Sequence, residues 1–537
     1  MVAAASAAAT IYLVLTLPPR TVDLGRSLPR AYAMGAYHVH SIRSDGTGSV
    51  DDIAEAAQRA GLAFVIITDH GDGTRRPDAA EYRHGVLCID ALEVSTTSGH
   101  LVALGLREPS PYPMAGAGRD VVEDIHRFGG LAVVAHPDSP NADLRWQGSL
   151  DGVDGLEWIN ADSEWRDEHP AHLIATALRS ALRPAETIAT LFSRPMRSLA
   201  RLDAGSRQRA LFALAAVDAH ARIGWRDNEE PRQRTALERP TYEQMFRTLA
   251  QVVELEAPLS GDGPADAARI VAAIGAGRSV SIIRAYAGPA ALDVERRREG
   301  ESSWRLSAAV PQAPGVSVTV LRDGRPVASG RGHVEMDATE AGVYRAEAAW
   351  PGTSAPWLLS SPITVGAQAS VDQTDSPGGK STDVRLPLDR NWSIERDPSS
   401  TATFGLKDDA LEFSFSLGAG TPRGQYSAVG AVVESRAGVG RIRLNARASR
   451  PIRLSLQVRL PGAKESQRWK RSVFIGAEDT AVDVPLSEFE PADFVTSRRP
   501  NVAPVQSVLL VVDTLNTLPG MAGTIRISNV TLQLRDP

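Results

Sequence analysis

The sequence predicts an α/β domain followed by two β-sandwiches, and three observations predict it. Residues 35–290 alternate strand-like and helix-like segments, the order that builds a parallel, barrel-like or wound sheet. From about residue 290 helical periodicity gives way to short strands separated by turn residues. In the first part, imidazoles and carboxylates fall at or just after the ends of apolar β-like runs, where such sheets place their working groups. At 537 residues the chain is too long for one core, and about three domains are expected.

Val2 to Leu17 is an uncharged run of small and apolar residues, shorter than the roughly 20 residues that span a bilayer. No Lys or Arg precedes it, and Arg20, Arg26 and Arg30 follow. A truncated signal sequence, an uncleaved anchor and a misplaced start remain open. Export or membrane attachment in the cell envelope is the expectation for residues 1–31, with the globular part beginning near residue 32. Ser49, with Asp52 three residues on, reads as a capping box opening a helix that Gly61 ends. Phe64–Thr68 is a buried strand leading into Asp69-His70. Val86–Ser95 is another, carrying Glu93, and Gly99–Leu106 pairs with it, carrying His100. Arg119–Phe128 is an amphipathic helix stopped by Gly129-Gly130. Leu131–Val134 delivers His136, Val153–Ile159 follows, and Leu211–Val217 delivers Asp218 and His220. Residues 163–210, rich in Arg and Ala, read as a helical insertion able to cover the site. A helix over 264–276 and the strand Ser279–Tyr286 end the domain near residue 289.

Residues 290–367 read as an immunoglobulin- or fibronectin-III-like sandwich with strands Trp304–Val310, Ser317–Arg322, Arg325–Ser329 and Val343–Ala349. The Asp323-Gly324 turn inside it is a hairpin signal. Residues 368–389 read as a linker. Residues 390–537 are strand-rich again, and a jelly-roll, galactose-binding-like sandwich fits best.

A net charge of −6 argues against a nucleic-acid partner. The single cysteine, Cys88, sits in an apolar run, which excludes an intramolecular disulfide and a cysteine-rich zinc site and points to a buried thiol. The chemistry lies instead in His38, His40, Asp45, His70, Glu93, His100, His136, Asp218 and His220. Six of the 11 histidines fall in this set. His38 and His40, two apart on a strand, point to one side. Asp218 and His220 repeat that spacing at the far end of the domain. Imidazole and carboxylate together suit two or three divalent ions, with Zn, Mn and Fe all compatible.

Tyr37–Ser49 (YHVHSIRSDGTGS), Ile67–Gly71 (ITDHG), Ala91–Leu106 (ALEVSTTSGHLVALGL), Ala132–Pro140 (AVVAHPDSP) and Ala215–Arg222 (AAVDAHAR) resemble the polymerase-and-histidinol-phosphatase (PHP) superfamily. Within it the chain is most similar to the carbaryl-hydrolase-like branch. The resemblance covers residues 35–290 and implies a distorted (β/α)7 barrel with a two- or three-metal centre at the strand C-terminal ends. It also implies that His38 and His40 ligate one ion with Asp218. Glu93 would bridge that ion to a second, held by His136 and His100, and Asp45, His70 and His220 would take a third. A hydrogen-bonded strand histidine is the alternative reading of His100. Glu93, Asp218 and His220 are the expected catalytic residues, since metal ions sharing a carboxylate lower the pKa of water to about 7 in favourable cases.

The leading functional reading is a metal-dependent hydrolase of a small-molecule phosphoester, or of a carboxylic or carbamate ester. The other is an envelope binding protein whose C-terminal sandwich takes carbohydrate while the barrel is a scaffold. A phosphoesterase should show anion-binding cations, for which Arg222 and Arg226 are the candidates, and a carbamate hydrolase an apolar pocket. Asp69 and Asp72 could orient the histidines or serve as turn residues, Asp138 reads as a turn residue, and Tyr242 and Glu256–Gly263 are candidates for the pocket mouth.

Overall fold

The computed structural model describes residues 14–29, 31–166, 168–222, 239–299, 303–366, 381–389, 391–420, 424–433, 438–460, 467–492 and 505–535. The chain divides into two compact units. The first comprises Met1–Gly71, Arg76–Glu108 and Ile125–Val371; the second, Asp72–Arg75, Pro109–Asp124 and Asp372–Pro537.

In the first unit, Tyr32–Val39, Phe64–Ile67 and Val86–Asp90 run parallel in one sheet, and Ala250–Glu254 and Ser279–Ile282 extend it antiparallel. A second sheet holds Phe212–Ala216, Gly155–Asn160 and Leu131–Val134 in parallel, then Gly99–Leu104 and Leu92–Thr96 antiparallel. Two parallel bridges join the sheets, Val39 with Ala219 and His70 with Glu93. Both lie where the candidate residues sit. One apolar cluster draws on both sheets, with Tyr37, Phe64 and Ile66 from the first and Val102, Val133 and Leu214 from the second. The continuous strand expected over Val86–Ser95 is in fact two. It breaks at Ala91, so that Asp90 closes one sheet and Leu92 opens the other, and the hairpin with Gly99–Leu104 belongs to the second.

The helix Val50–Arg59 carries the expected capping box, with Gly61 in the left-handed region just past its end (φ 72°). Gly263–Gly275 is capped by Asp262. The expected insertion at 163–210 is helical: Ala161–Arg166, Pro170–Ser180, Pro184–Ala189 and Met196–Ser206. These helices occupy the crossover between the parallel neighbours Gly155–Asn160 and Phe212–Ala216.

Residues 293–365 form strands as expected, and Asp323-Gly324 makes a tight hairpin with both residues at positive φ (49° and 81°). They do not stand apart as a module, however. Leu358–Ser360 pairs with Ser279–Ile282, so one of their sheets continues the first sheet of the α/β region. The second unit holds two six-stranded antiparallel sheets around Phe413, Leu456, Trp469 and Ile525. Of the expected linker, residues 368–380 lie outside the described residues, while Ser381–Arg385 is an edge strand on Thr531–Arg535. Residues 1–13 of the N-terminal apolar run also lie outside them. Among the described residues no helix is long and apolar enough to cross a membrane.

Candidate metal centre

The site is built where strand ends depart from regular geometry. His38 is not on a regular strand position, as the His-x-His spacing suggested. It is the extra residue of a bulge, since Tyr37 pairs with Ile66 and Val39 with Ile67, and its φ is 69°. His136 (φ 28°) and Asp218 (φ 45°) are also left-handed. Three non-glycine residues held in that sparsely populated region, all in one cluster, mark a place where the surrounding fold fixes side-chain direction against local preference. The backbones of His38–His40 and Asp218–His220 also lock together: His40 N–H donates to Ala219 O (3.0 Å) and Ala219 N–H to His38 O (3.2 Å).

The loop after His40 that carries Asp45 is clamped from two sides. The Asp69 carboxylate accepts from Ser41 N–H (2.7 Å), Ser41 Oγ–H (2.6 Å) and Ser44 Oγ–H (2.6 Å). Tyr242 Oη accepts from Thr47 and Gly48 N–H (3.2 and 3.1 Å) and donates to His40 O (2.7 Å). Gly46 passes so close that a Cβ there would sit 2.1 Å from His40 O.

Glu93 is at the centre. Its Oε1 lies 2.7 Å from His100 Nδ1 and 2.8 Å from His136 Nε2. Its Oε2 lies 3.1, 3.2 and 3.5 Å from His38 Nε2, His40 Nε2 and His70 Nδ1. Asp218 Oδ1 is 3.4 Å from both His38 and His40 Nε2. Asp45 Oδ2 is 3.2 Å from His220 Nε2, and its Oδ1 is 3.4 Å from His40 Nδ1. All nine candidate residues therefore meet in one cluster. Four subsets have donor atoms close enough to share an ion: His38/His136/Asp218, His38/His40/Glu93, His40/Asp45/His220 and His70/Glu93/His100. His70 differs from the expected grouping. It sits with Glu93 and His100, and its Nε2 is 3.8 Å from Asp45 Oδ1. The donor set fits divalent cations. Two imidazole nitrogens, those of His38 and His40, face each other at 3.1 Å beside two carboxylates, and buried Asp45 Oδ1 has no hydrogen-bond partner.

Electrostatics agree. Burial alone would lower the His38 imidazole, but the Asp218, Glu157 and Glu93 carboxylates hold it well above its ordinary value. His40 is pushed up to about 10 against burial by Asp218 and Glu93. Burial would raise Glu93, Asp45 and Asp218, but the surrounding imidazoles hold all three well below the usual carboxylate range. His70 goes the other way, to about 4, because burial and the neighbouring His40 outweigh Glu93 and Asp45. Concentrated carboxylate charge that draws protons onto imidazoles is what a cation would replace.

All members of the cluster except buried His38 line the floor of a pocket of about 650 Å3, whose wall includes Asp162, Trp165, Arg166 and Arg222. Arg222 Nη2 reaches Asp45 Oδ2 at 3.1 Å. Arg226 lies outside the described residues. Of the helices over 163–210, only Ala161–Arg166 contributes to the lining. Tyr242 and Glu256–Gly263 do not line it. Tyr242 holds the Asp45 loop, and Ser260 and Gly261 N–H donate to the Asp266 carboxylate. Asp72 accepts from Thr74 N–H and Oγ–H as a turn residue, and Asp138 accepts from Ser198 Oγ–H. Cys88 is buried, as expected, and burial pushes its thiol up to about 11.

Glu157 was not among the candidates. Fully buried, it lies 2.6 Å from His38 Nδ1 and accepts from His136 N–H (2.7 Å) and Asn160 Nδ2–H (2.9 Å). Asn160 also donates to Asp218 Oδ2 (3.0 Å). The available signal was an acid in the middle of Val153–Ile159, a segment read only as a strand.

No family model matches the chain. An uncharacterized protein of Methanocaldococcus jannaschii is 32% identical over 113 residues, 20% of this chain, and the chain spans 65% of that relative's length. Among solved structures, a two-domain Bacteroides vulgatus protein containing a predicted PHP-like metal-dependent phosphoesterase is 14% identical. The match covers 64% of this chain and 98% of that one, with a TM-score of 0.28. A family 11 carbohydrate-binding module from Clostridium thermocellum is 11% identical over 28% of this chain and 94% of its own, with a TM-score of 0.24.

Proposed function

We propose that the chain is a metal-dependent hydrolase of phosphoesters. The observation that carries this reading is the convergence of six imidazoles and three carboxylates in one cluster, all but buried His38 lining an open pocket, with Glu93 facing five of the imidazoles. Bound divalent ions would supply Lewis acidity and an activated water. His38, His40, Glu93 and Asp218 would hold one ion, His70, His100 and His136 with Glu93 a second, and Asp45 and His220 a third. Glu157 fixes His38 through Nδ1, which turns Nε2 toward Glu93 and Asp218. Arg222, already anchored on Asp45, orients a substrate anion. This reading prefers a phosphoester to a carbamate because most of the residues lining the pocket are charged or polar, Arg166 and Arg222 among them, Leu144 and Trp165 being the apolar side chains.

The test is turnover by metal-reconstituted protein of p-nitrophenyl phosphate, bis-p-nitrophenyl phosphate, p-nitrophenyl acetate and an aryl carbamate, with inorganic phosphate as inhibitor. Phosphate-ester turnover abolished in His38→Ala is expected. Ester or carbamate turnover alone would move the reading to carbon centres, and turnover unaffected by His38→Ala would contradict it.

A second role rests on a groove of about 300 Å3 in the C-terminal unit, where Tyr426, Gln457, Lys470 and Asp513 surround an apolar floor of Ala428, Leu509 and Val511. Amide and charged groups around an apolar floor suit a sugar ring. Titration of the full chain with soluble oligosaccharides should give saturable heat that Tyr426→Ala removes; absence of heat with every glycan tried would end this reading.

A further inference from the structure

The helix Pro170–Ser180 presents an unusual outer face. Every exposed residue from Pro170 to Leu182 is apolar: Pro170, Ala171, Ile174, Ala177, Leu178, Ala181 and Leu182. Ile174, Leu178 and Leu182 recur at helical spacing and are 64, 59 and 57% exposed. A helix at a water-facing surface normally turns its charged side outward. This one keeps its polar groups to the flanks, where His172 pairs with Glu168 and Arg179 and Arg183 turn toward the start of the chain. Arg179 Nε–H donates to Thr16 Oγ1 (3.2 Å) and Arg183 Nη1–H to Pro18 O. The chain just before Thr16 adds Val14 and Leu15, also exposed. That segment is the end of the apolar run Val2–Leu17, and it is followed by exposed Arg20.

We propose that this face is a membrane-contact surface, with Ile174, Leu178 and Leu182 immersed in the interfacial layer of an anionic lipid bilayer beside Val14 and Leu15. Contiguous exposed apolar surface of this kind marks an interaction site. Two features of the chain select lipid as the occupant. The face is continuous with an apolar run of the chain itself. Residues 170–183 also contain two arginines and no acid, and the flanking Glu168 is paired with His172, so the helix itself carries net positive charge, which suits headgroup phosphates. Arg179 and Arg183 can extend toward those phosphates while their stems stay on apolar surface.

The experiment is hydrogen–deuterium exchange on the full chain with and without vesicles of phosphatidylcholine and phosphatidylglycerol, alongside vesicle flotation. Slower exchange over 170–182 in the presence of vesicles is expected. The bound fraction should fall roughly tenfold or more in Ile174→Glu/Leu178→Glu/Leu182→Glu, because three immersed side chains become charged. The wild-type exchange measurement does not depend on the variant folding, and a graded Leu178→Ser change repeats it mildly. Vesicle binding equal in wild type and variants, with no protection of 170–182, would assign all attachment to the N-terminal run and overturn the proposal. Protection without vesicles that rises with protein concentration, or no vesicle binding by the full chain, would overturn it in favour of a second copy or of residues 2–13 as the covering partner.

Discussion

His38 illustrates how much of this site depends on residues that never touch a substrate. Its backbone sits at positive φ in a bulge, its Nδ1 is held by Glu157, and only Nε2 faces Glu93 and Asp218. Glu157→Gln keeps the shape but weakens the acceptor. Metal affinity and kcat/KM should both fall by about 10–100-fold, read by metal titration and by hydrolysis of the best substrate from the panel. An unchanged affinity would leave Glu157 without a positioning role. Acid stability offers a second check away from the centre. Burial would raise Asp266, but the N–H groups of Ser260 and Gly261 and the Tyr82 hydroxyl hold it at about 2. Its folded pKa is below its unfolded value of about 3.9, so its contribution is complete above that value and is lost as pH falls through 2. Asp266→Asn should remove this part of the acid limb in urea unfolding followed against pH. Residue types and order made the nine clustered side chains legible in the sequence. Glu157 was not legible, because a buried acid on a strand has no motif of its own, and His70's position beside His100 is set by tertiary geometry that spacing does not encode.

At the scale of elements, local chemistry was readable and pairing was not. The Ser49 capping box and the Asp323-Gly324 hairpin follow from side-chain and turn preferences within a few residues, and both appear as expected. The break at Ala91 and the bulge at His38 are imposed by strands far away in sequence, which is why an uninterrupted apolar run hid the first and a regular His-x-His pattern hid the second. The loop Ser41–Gly48 depends on both kinds of constraint. Tyr242→Phe removes the acceptor of the Thr47 and Gly48 N–H groups, the second of them buried, and the donor to His40 O, at a cost of about 1–3 kcal/mol. Chemical denaturation should register that loss. Because the loop carries Asp45, metal affinity at the Asp45/His220 subset should fall more than at His38/His40/Glu93.

At the scale of the whole molecule, alternation of strands and helices announced the mixed α/β character of the first unit and turn density announced the strands after residue 290. The sheet joining Leu358–Ser360 to Ser279–Ile282 could not be read, since both are short apolar strands that would pair equally well elsewhere. The second unit also takes in residues 109–124, far from its main segment in sequence. There, fully buried Arg453 bonds both carboxylate oxygens of buried Asp124 (2.7 and 2.9 Å) and the carbonyl of Asp120. Replacing the arginine by leucine strands the Asp124 charge and should cost about 3–5 kcal/mol. In calorimetry the transition of the second unit should move down while metal content stays unchanged; a loss of metal with no shift would contradict this placement of the pair.

The central claim is that the nine clustered side chains form a metal centre. Anomalous diffraction from crystals of protein loaded with manganese or zinc tests it most directly. The account predicts two or three peaks within the cluster, one of them between Glu93 and the His38/His40 pair, with the peaks beside Glu93 lost in Glu93→Ala. Peaks only elsewhere on the chain, or none with metal in excess, would contradict it.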